Sequence, residues 1–356
     1  MVKFFNRASA KKGLPAGSPI YVGDSAPVKT EITFIQYNAD RRPISTSLQP
    51  KNIQEQIKQL PTAGGWLHIT GLQNAEVIHE VCEALEVHSL VIEDILNTEQ
   101  ISKIEFFPDY TLIITREPIM TARIDQVKLE QISFILKGNL LITFQKNHSN
   151  LLEQINNYLG HFITKALPLD SAHILYLMLD MIIDEHLAIV EQKGEELEAI
   201  EEVIIAGRED IQSKTLYLLK RDMLHLRKNI MGLHNIVDSL THERATIIPK
   251  VPVIYLHDLR DHLLRILDSI DVHRELSKNI LEIYMSSVNT KINETMKFLA
   301  VFAAIFIPLS FVTSFYGMNF PNFPFLQYEH AYVYVVSMMV GIAVGLLVYF
   351  RRKKWI

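Results

Sequence analysis

Two charge-free stretches near the C-terminus constrain this chain more than any other feature. The first is Phe298–Tyr316 (FLAVFAAIFIPLSFVTSFY) and the second is Ala331–Phe350 (AYVYVVSMMVGIAVGLLVYF). At about 1.5 Å per helical residue, each run can cross a hydrocarbon core of about 30 Å. Buried helices of a soluble domain would be the alternative, but Lys291 and Lys297 precede the first run and residues 351–354 (RRKK) follow the second. The sequence therefore predicts transmembrane helices at 298–316 and 331–350.

The basic flanks also predict the topology. Positively charged flanks face the cytoplasm, so two spans return the chain to the side on which it started. Residues 317–330 then form a short outer loop and residues 351–356 a basic cytoplasmic tail. We expect an integral membrane protein with cytoplasmic N- and C-termini and some 290 residues on the inner side.

The composition excludes several classes of protein. The chain has 35 basic and 40 acidic residues and a formal charge of −5, without the basic excess expected of a nucleic-acid binder. Cys82 is the single cysteine, so an intramolecular disulfide and a thiolate zinc cluster from one chain are excluded. Motifs of nucleotide hydrolysis, metalloprotease and nucleophile-elbow chemistry are absent, and we expect a protein that is not an enzyme and has no organic cofactor.

The first 165 residues divide into a tail and a domain. Residues 1–30 are expected to be a flexible tail and residues 31–165 an α/β domain, because short β-rich runs alternate there with helical spacing. The expected strands are Glu31–Tyr37, Trp66–Thr70, and two longer runs read as hairpins or broken strands, Glu105–Thr115 and Glu130–Phe144; the expected helices are Asn52–Leu60 and Ala75–Leu85.

Long amphipathic helices follow this domain. Apolar residues recur at intervals of three and four over residues 166–250, which predicts long antiparallel helices with breaks near Gly207 and near Pro249–Pro252. A stalk helix, residues 251–297, begins near Ile254 and has no stop before Pro308. It runs into the first membrane span, giving a helix of about 60 residues and about 90 Å that could carry a cytosolic binding event to the membrane.

A tripeptide at the outer end of the first span points to a family. Gly317-Met318-Asn319 between two C-terminal spans resembles the signature of the CorA family of divalent-cation channels. Further segments look like the same family: Asn293-Glu294-x-Met296-Lys297, the closing Lys354-Trp355, His88–Asn97 (HSLVIEDILN), and Asp258-x-x-Asp261-His262. The resemblance covers residues 30–356.

The resemblance implies a fold and a function. It implies an α+β/α chain with an N-terminal cytoplasmic α/β domain, a long helical stalk and two C-terminal transmembrane helices, assembled as a homopentameric funnel in a bacterial inner membrane. The first span would line a central pore, and the second would pack outside it against lipid. The implied activity is uptake of Mg²⁺, often with Co²⁺ or Ni²⁺, through a channel that intracellular Mg²⁺ closes.

The pore residues fit a hydrated cation. Neither membrane run contains Asp, Glu, His, Lys or Arg, so stripping the tightly held waters of Mg²⁺ there is not favoured. The amide of Asn319 can accept hydrogen bonds from first-shell waters, and the resemblance makes Gly317, Met318 and Asn319 the selectivity filter. From the residues alone, Asn319 is equally well explained as a turn residue after glycine.

Below Asn319, one helical face forms a series that we call the pore stripe. Its members are Ser314, Ser310, Ile307, Ala303, Leu299, Met296 and Asn293. A plain packing face is the alternative, but hydroxyls and an amide favour a wet pore, with Ile307, Leu299 and Met296 as apolar constrictions. The family more often has methionine at the position of Ile307. Glu282, farther down the helix, would add an acidic ring at the inner mouth.

Acidic residues of the soluble part match positions that the family uses for regulatory Mg²⁺. They are Glu93, Asp94, Asp180, Asp258 and Asp261. The favoured pair is Asp94 facing Asp258 of the partner subunit, because a bridging divalent cation would remove the repulsion of two carboxylates. Solvated helix faces or N-caps are the alternative for any one of them.

Two other functions stay open. A related Zn²⁺ transporter, coupled to protons, would share the architecture, although the spans carry no titratable relay. A membrane-anchored sensor or scaffold would show no ion flux. The loop after Asn319 contains one acidic residue, Glu329, so electrostatic gathering of cations at the outer mouth is expected to be weak.

Overall fold

The structure is a computed structural model of the chain. It describes Gly13, Pro15 and residues 17–23, 28–37, 43–61, 64–119, 127–147, 154–155, 170–206, 213–243, 247–248, 251–318 and 328–355. The chain divides into two compact units. The first comprises Met1–Glu201 and Asp210–Ser277, and the second comprises Glu202–Glu209 and Lys278–Ile356.

The first unit contains a seven-stranded mixed sheet. Its strands are β1 (Glu31–Tyr37), β2 (Pro43–Leu48), β3 (Gly65–Thr70), β4 (Lys103–Phe106), β5 (Thr111–Ile119), β6 (Lys128–Lys137) and β7 (Leu140–Gln145). They lie in the order β2-β1-β3-β7-β6-β5-β4, and all neighbours are antiparallel except the β3–β7 pair. The predicted strand Glu31–Tyr37 is confirmed at its bounds. The two longer predicted runs are the hairpins β4–β5 and β6–β7, with turns at Pro108-Asp109 and Gly138-Asn139.

Side-chain alternation gives the sheet two buried faces. Helices α1 (Ile53–Lys58), α2 (Ala75–Ala84) and α3 (Ser89–Leu96) cover one face, and their apolar residues form a core with Leu67, Ile69, Ile142 and Phe144. The residues between these on the strands point to the opposite face, where Trp66 and Phe134 are also fully buried. Both faces of the sheet therefore need a covering layer.

The long predicted helices are present. They are α4 (Ser171–Ile205), α5 (Ser213–His242), α6 (Val253–Tyr316) and, at the C-terminus, α7 (Ala331–Arg352). Helix α6 begins directly after Pro252 and continues through Pro308, which confirms the prediction of one helix running into the first membrane run. The other predicted break, at Gly207, lies outside the described residues.

Two elements of the first unit were not predicted. Strand β2 has a polar sequence, PISTSL, because it lies at the sheet edge, pairs with β1 alone and is mostly exposed. Helix α3 follows His88, whose ring Nδ1 accepts a hydrogen bond from the Leu90 N–H at 3.2 Å. Histidine is not among the usual N-cap residues, so this helix lacks the ordinary start signal.

The region expected to be a flexible tail contains a segment, around Val22, that is attached to the first unit. The Val22 side chain is buried, and its backbone forms a bridge with Asn97. The Val22 N–H donates to the Leu96 carbonyl at 3.0 Å, and the Thr98 N–H donates back to the Val22 carbonyl at 3.0 Å. A single buried apolar side chain with backbone pairing is enough to attach such a segment, and no periodic pattern announces it.

Candidate ion pathway and metal cluster

The pore stripe lies on one helix and is open to its surroundings. All seven residues belong to α6, and their average spacing of about 3.5 residues keeps them close to one face of the helix. Ala303 is half-buried and the other members are exposed, Ile307 to 67% and Leu299 to 58%. Exposing this much apolar surface to water is unfavourable in free energy. This face therefore needs to be covered by a partner or to face a solvent other than water.

The same face continues toward the start of the second unit. Glu282 and Asn293 border one shallow groove of about 630 Å³, lined by residues of α6, and the placing of Glu282 at an inner mouth stays a prediction. Sequence reasoning missed Ser286, Asn289 and Thr290, which border the same groove. Their spacing of three and four residues from Glu282 and Asn293 was the signal that could have found them.

The end of α6 explains the glycine of the tripeptide. The Gly317 N–H donates to the Thr313 carbonyl at 2.9 Å, and a Cβ at Gly317 would lie 3.0 Å from that carbonyl oxygen. A larger residue would therefore crowd the last helical turn. Met318, the next residue, is 48% exposed. Asn319, the predicted filter amide, lies outside the described residues.

Helices α6 and α7 are long and apolar enough to cross a membrane. Their most apolar 18-residue windows are 6% buried each, whereas the core helix of a soluble protein would be mostly buried. The exposed side chains include Phe298 at 72% and Phe311 at 69%. This combination of length, hydropathy and exposure is typical of helices whose solvent is lipid.

In the first unit, α4 and α6 bring three metal-ligating side chains together. Asp180 and Asp184 lie one turn apart on α4, His262 lies on α6, and one ligand atom of each lies within 4.8 Å of the others. Asp258 lies beside them, with its Oδ1 3.8 Å from His262 Nε2. We call Asp180, Asp184 and His262 the metal cluster. Of these three, sequence reasoning proposed only Asp180 as a ligand, although the i, i+4 spacing of the two aspartates was visible.

The electrostatics of the metal cluster favour a bound cation. Burial raises the pKa of Asp180 to about 6, repulsion from Asp184 and Asp258 adds to the rise, and His262 opposes it. His262 Nδ1 is buried without a hydrogen-bond partner among the described residues. Two repelling carboxylates and an imidazole form a donor set that a divalent cation would satisfy.

Hydrogen bonds to the sheet and to α5 fix the helix that carries the two aspartates. At its start, Ser171 Oγ donates to the Gly65 carbonyl at 3.2 Å and to the Asn139 carbonyl. Farther along, His186 is fully buried, and burial lowers its pKa to about 4. Its Nδ1–H donates to the Ile182 carbonyl at 2.6 Å, and its Nε2 accepts from Asn229 Nδ2 on α5 at 2.7 Å.

The remaining predicted acidic residues have partners in their own chain. Lys103 Nζ lies 2.7 Å from Asp94 Oδ2, and Gln100 donates to the other oxygen. Glu93 Oε2 accepts the Gly17 N–H at 2.7 Å. Asp261 is 70% exposed, 3.9 Å from Arg260 Nε. The proposed contact of Asp94 with the partner subunit's Asp258 stays a prediction, and the positive charge of Lys103 would weaken it.

Comparison with known proteins identifies the family. The family model described as CorA-like Mg²⁺ transporter protein matches residues 63–352. This chain belongs to the CorA family. Among CorA relatives, the cobalt/magnesium transport protein CorA of Thermotoga maritima is 32% identical over 351 residues, which cover 98% of this chain and 99% of the relative. A putative metal ion transporter of Bacillus subtilis is 25% identical, over 86% of this chain and 94% of the relative.

Solved structures share the CorA-like fold. The complete CorA magnesium transporter from Methanocaldococcus jannaschii matches with a TM-score of 0.71 and 19% identity, covering 93% of this chain and 100% of that one. The full-length CmaX protein matches with a TM-score of 0.70 and 18% identity, over 94% and 99% of the two chains. The chain is thus a CorA-family divalent-cation transporter and a membrane protein, with an α/β domain, a long helix and two apolar C-terminal helices.

Proposed function

We propose that this chain forms a homopentameric channel for Mg²⁺, with the pore stripe of α6 around the axis and α7 outside it. The observation that carries the proposal is the stripe itself, which is uncharged and mostly exposed, with polar side chains at its two ends and apolar side chains between them. Five copies would place five equivalent stripes around one passage. Asn319 and its neighbours would form the filter at the outer end.

The chemistry of the stripe suits a cation that keeps its waters. Mg²⁺ releases water reluctantly, and the stripe offers hydroxyls, amides and apolar groups, none of which replaces a hydration shell well. Ser310, Ser314 and Asn293 can hydrogen-bond to the waters of a passing ion. Met296, Leu299 and Ile307 would form rings that close by expelling water.

Passive entry would be strongly favoured. Moving two positive charges inward across about 100 mV is worth about 4.6 kcal/mol, a concentration ratio above about 10³. Mg²⁺ entry therefore needs no coupled energy source. A weakly acidic outer loop, with Glu329 as its one acid, would leave selection to the filter.

Closure would follow from the metal cluster of the first unit. Asp180 and Asp184 repel each other beside Asp258, and a divalent cation held with His262 would supply the opposite charge. At low internal Mg²⁺ that repulsion would remain and favour separation of α4 from α6. Because α6 also carries the pore stripe, cation occupancy could bias the pore.

Transition-metal transport is the second candidate, and His262 is the observation that favours it. Imidazole nitrogen suits Co²⁺, Ni²⁺ and Zn²⁺ better than Mg²⁺, which prefers oxygen. The cytoplasmic domain of a ZntB protein also has a similar fold, with a TM-score of 0.55 at 14% identity. The His262 side chain would then make closure more sensitive to these ions than to Mg²⁺.

Flux into reconstituted vesicles tests the function. The full-length chain is compared for Mg²⁺, Co²⁺, Ni²⁺ and Zn²⁺, each with and without a pH gradient. We expect Mg²⁺ influx that follows membrane potential and ignores the pH gradient. Zn²⁺ flux that requires the pH gradient would select the second candidate, and absence of flux for every ion would select a sensor or scaffold.

A further inference from the structure

A buried carboxyl group lies on the face of the sheet that points away from helices α1, α2 and α3, because it is out of phase along β5 with Leu112 and Ile114, which belong to the core on that side. Glu117, on β5, is 5% exposed. In the β5–β6 register it stands directly opposite Glu130, which is also 5% exposed. Like charges opposite each other on neighbouring strands are destabilising, and burial increases the effect. The repulsion between these two glutamates must therefore be offset by hydrogen bonds, by opposite charge or by protonation.

The two glutamates are compensated very differently. Glu130 receives a hydrogen bond from Lys128 Nζ, and Asn147 Nδ2 lies 2.6 and 2.7 Å from its two oxygens. Glu117 Oε1 accepts one hydrogen bond, from Gln145 Nε2 on β7, at 2.7 Å. Glu130 thus has a cationic donor and an amide donor, whereas Glu117 receives a single hydrogen bond from a neutral amide.

Helix α4 adds a third carboxyl group. Glu185 of α4 acts on Glu117 by charge repulsion, and its own hydrogen bond comes from Gln154, 2.9 Å away. Within the described ranges, the charged groups that act on Glu117 are Glu185 from α4 and Glu130 from β6, and both are acidic. The β7 partner, Gln145, is neutral. Ionised Glu117 would therefore be repelled from two sides.

A proton on Glu117 removes this conflict. Burial raises the pKa of Glu117 to about 8, with repulsion from Glu185 and Glu130 adding to the rise and the Gln145 hydrogen bond opposing it. At neutral pH the seated carboxyl group is therefore mostly protonated. A protonated group keeps Oε1 as the acceptor for Gln145 and gains an O–H donor.

We propose that protonated Glu117 allows α4 to pack on the sheet, and that loss of this proton at rising pH weakens the packing. We call this role of Glu117 the latch. This role of Glu117 does not depend on the residues of the ion pathway. It bears on the metal cluster because Asp180 and Asp184 are carried by the same helix. Alkaline conditions would loosen the element that positions both aspartates.

The direction of the pH dependence follows from linkage. When α4 lifts off the sheet, Glu117 meets water and its pKa returns to an ordinary value near 4.5. A raised pKa in the seated state means that seating is unaffected below about pH 4.5 and is progressively lost as pH rises toward about 8. Between these values the opening equilibrium constant should rise by up to about tenfold per pH unit, and above about pH 8 it should level off.

Hydrogen exchange of the full-length chain in detergent measures this opening. Exchange of peptides from α4 and β5 is followed by mass spectrometry from about pH 5.5 to about pH 9 and corrected for the intrinsic pH dependence of exchange. Glu117→Gln keeps the acceptor for Gln145 and cannot ionise. Glu80→Gln, at an exposed position on α2, is the matched control. Asp180, Glu185 and His186 also titrate on α4, so the difference between parent and Glu117→Gln isolates Glu117.

We expect the corrected opening of α4 in the parent and in Glu80→Gln to increase at least tenfold between about pH 5.5 and about pH 8, and Glu117→Gln to lose that increase. The same pH profile in parent and Glu117→Gln would overturn the latch. If Glu117→Gln does not fold, a flat corrected profile for α4 in the parent over this range would equally refute the proposal. Ion flux plays no part in these measurements, so they stand apart from the test of channel function.

Discussion

The two compact units keep their polar groups in opposite places. The first unit buries carboxylates, imidazoles and amides around an apolar core. The second unit carries its apolar side chains outside and has no charged residue over the two membrane runs. The surface of the first unit is suited to water, and that of the second unit to lipid.

Under the proposed function, this difference would give the two units different work. Neutral hydroxyls and amides on α6 can pass a hydrated cation without binding it tightly, which conduction requires. Carboxylates and a histidine in the first unit can hold a cation long enough to report its concentration. Exchange of these roles would produce a pore that traps ions or a sensor that does not respond, and the following predictions test the division.

The largest effect is expected at Asn319, because the proposed filter depends on its amide. Asn319→Ala should lower Mg²⁺ influx into vesicles by about a hundredfold or more, equivalent to about 2.7 kcal/mol. Assembly, followed by cross-linking or light scattering, should not change. Asn322→Ala, in the same loop, is the control. Equal influx for Asn319→Ala and the parent would contradict the filter.

A smaller effect is expected at the metal cluster. Replacing Asp180 and Asp184 together by Asn should raise the internal Mg²⁺ or Co²⁺ concentration needed for half-closure at least about tenfold, equivalent to about 1.4 kcal/mol, because two negative charges are lost. Flux at low internal cation should stay near that of the parent. Glu191→Gln, at an exposed position on α4, is the control. Unchanged half-closure would remove the cluster from regulation.

The same assay compares two locations of the sensor. Asp94→Asn combined with Asp258→Asn tests the contact between subunits. The bond from Lys103 already neutralises Asp94 in its own chain, so this pair should shift half-closure less than the metal cluster does. A larger shift for Asp94 and Asp258 would place the main sensor between subunits.

The smallest effect on ion flux is expected at the joint that holds α4 and α5 to the sheet, where a substitution should change local stability instead. Asn229 serves three groups: it donates to the Arg116 carbonyl at 3.2 Å and to His186 Nε2, and it accepts from Ser102 Oγ at 3.0 Å. Asn229→Ala would leave buried groups unbonded and should cost about 1–3 kcal/mol of local stability. Hydrogen exchange of α4 and α5 peptides checks this, with the exposed Asn235→Ala as control. Equal protection in both variants would contradict the role of the joint.

Periodic features of the chain were predictable, and features that join distant residues were not. The alternation of Glu31–Tyr37 and the unbroken spacing of α6 each follow from neighbours in the sequence. Strand β2 was not predicted from the sequence, because an edge strand has little apolar alternation. Asp184 and His262 were not recognised as ligands, because 78 residues separate them and each taken alone resembles a solvated helix residue.

From its residues alone, the chain determined its two lipid-compatible helices, the uncharged stripe and its likeness to the CorA family, because lipid solvation and helical spacing act on consecutive residues. The tertiary structure decided which groups act on one another: Glu117 with Glu130 and Glu185, and Asp180 with Asp184 and His262. Apart from Asp180 and Asp184, which share a turn of α4, these contacts form when separate strands and helices pack together. Burial and mutual repulsion then give carboxyl groups of the same chemical type different affinities for protons and metal ions.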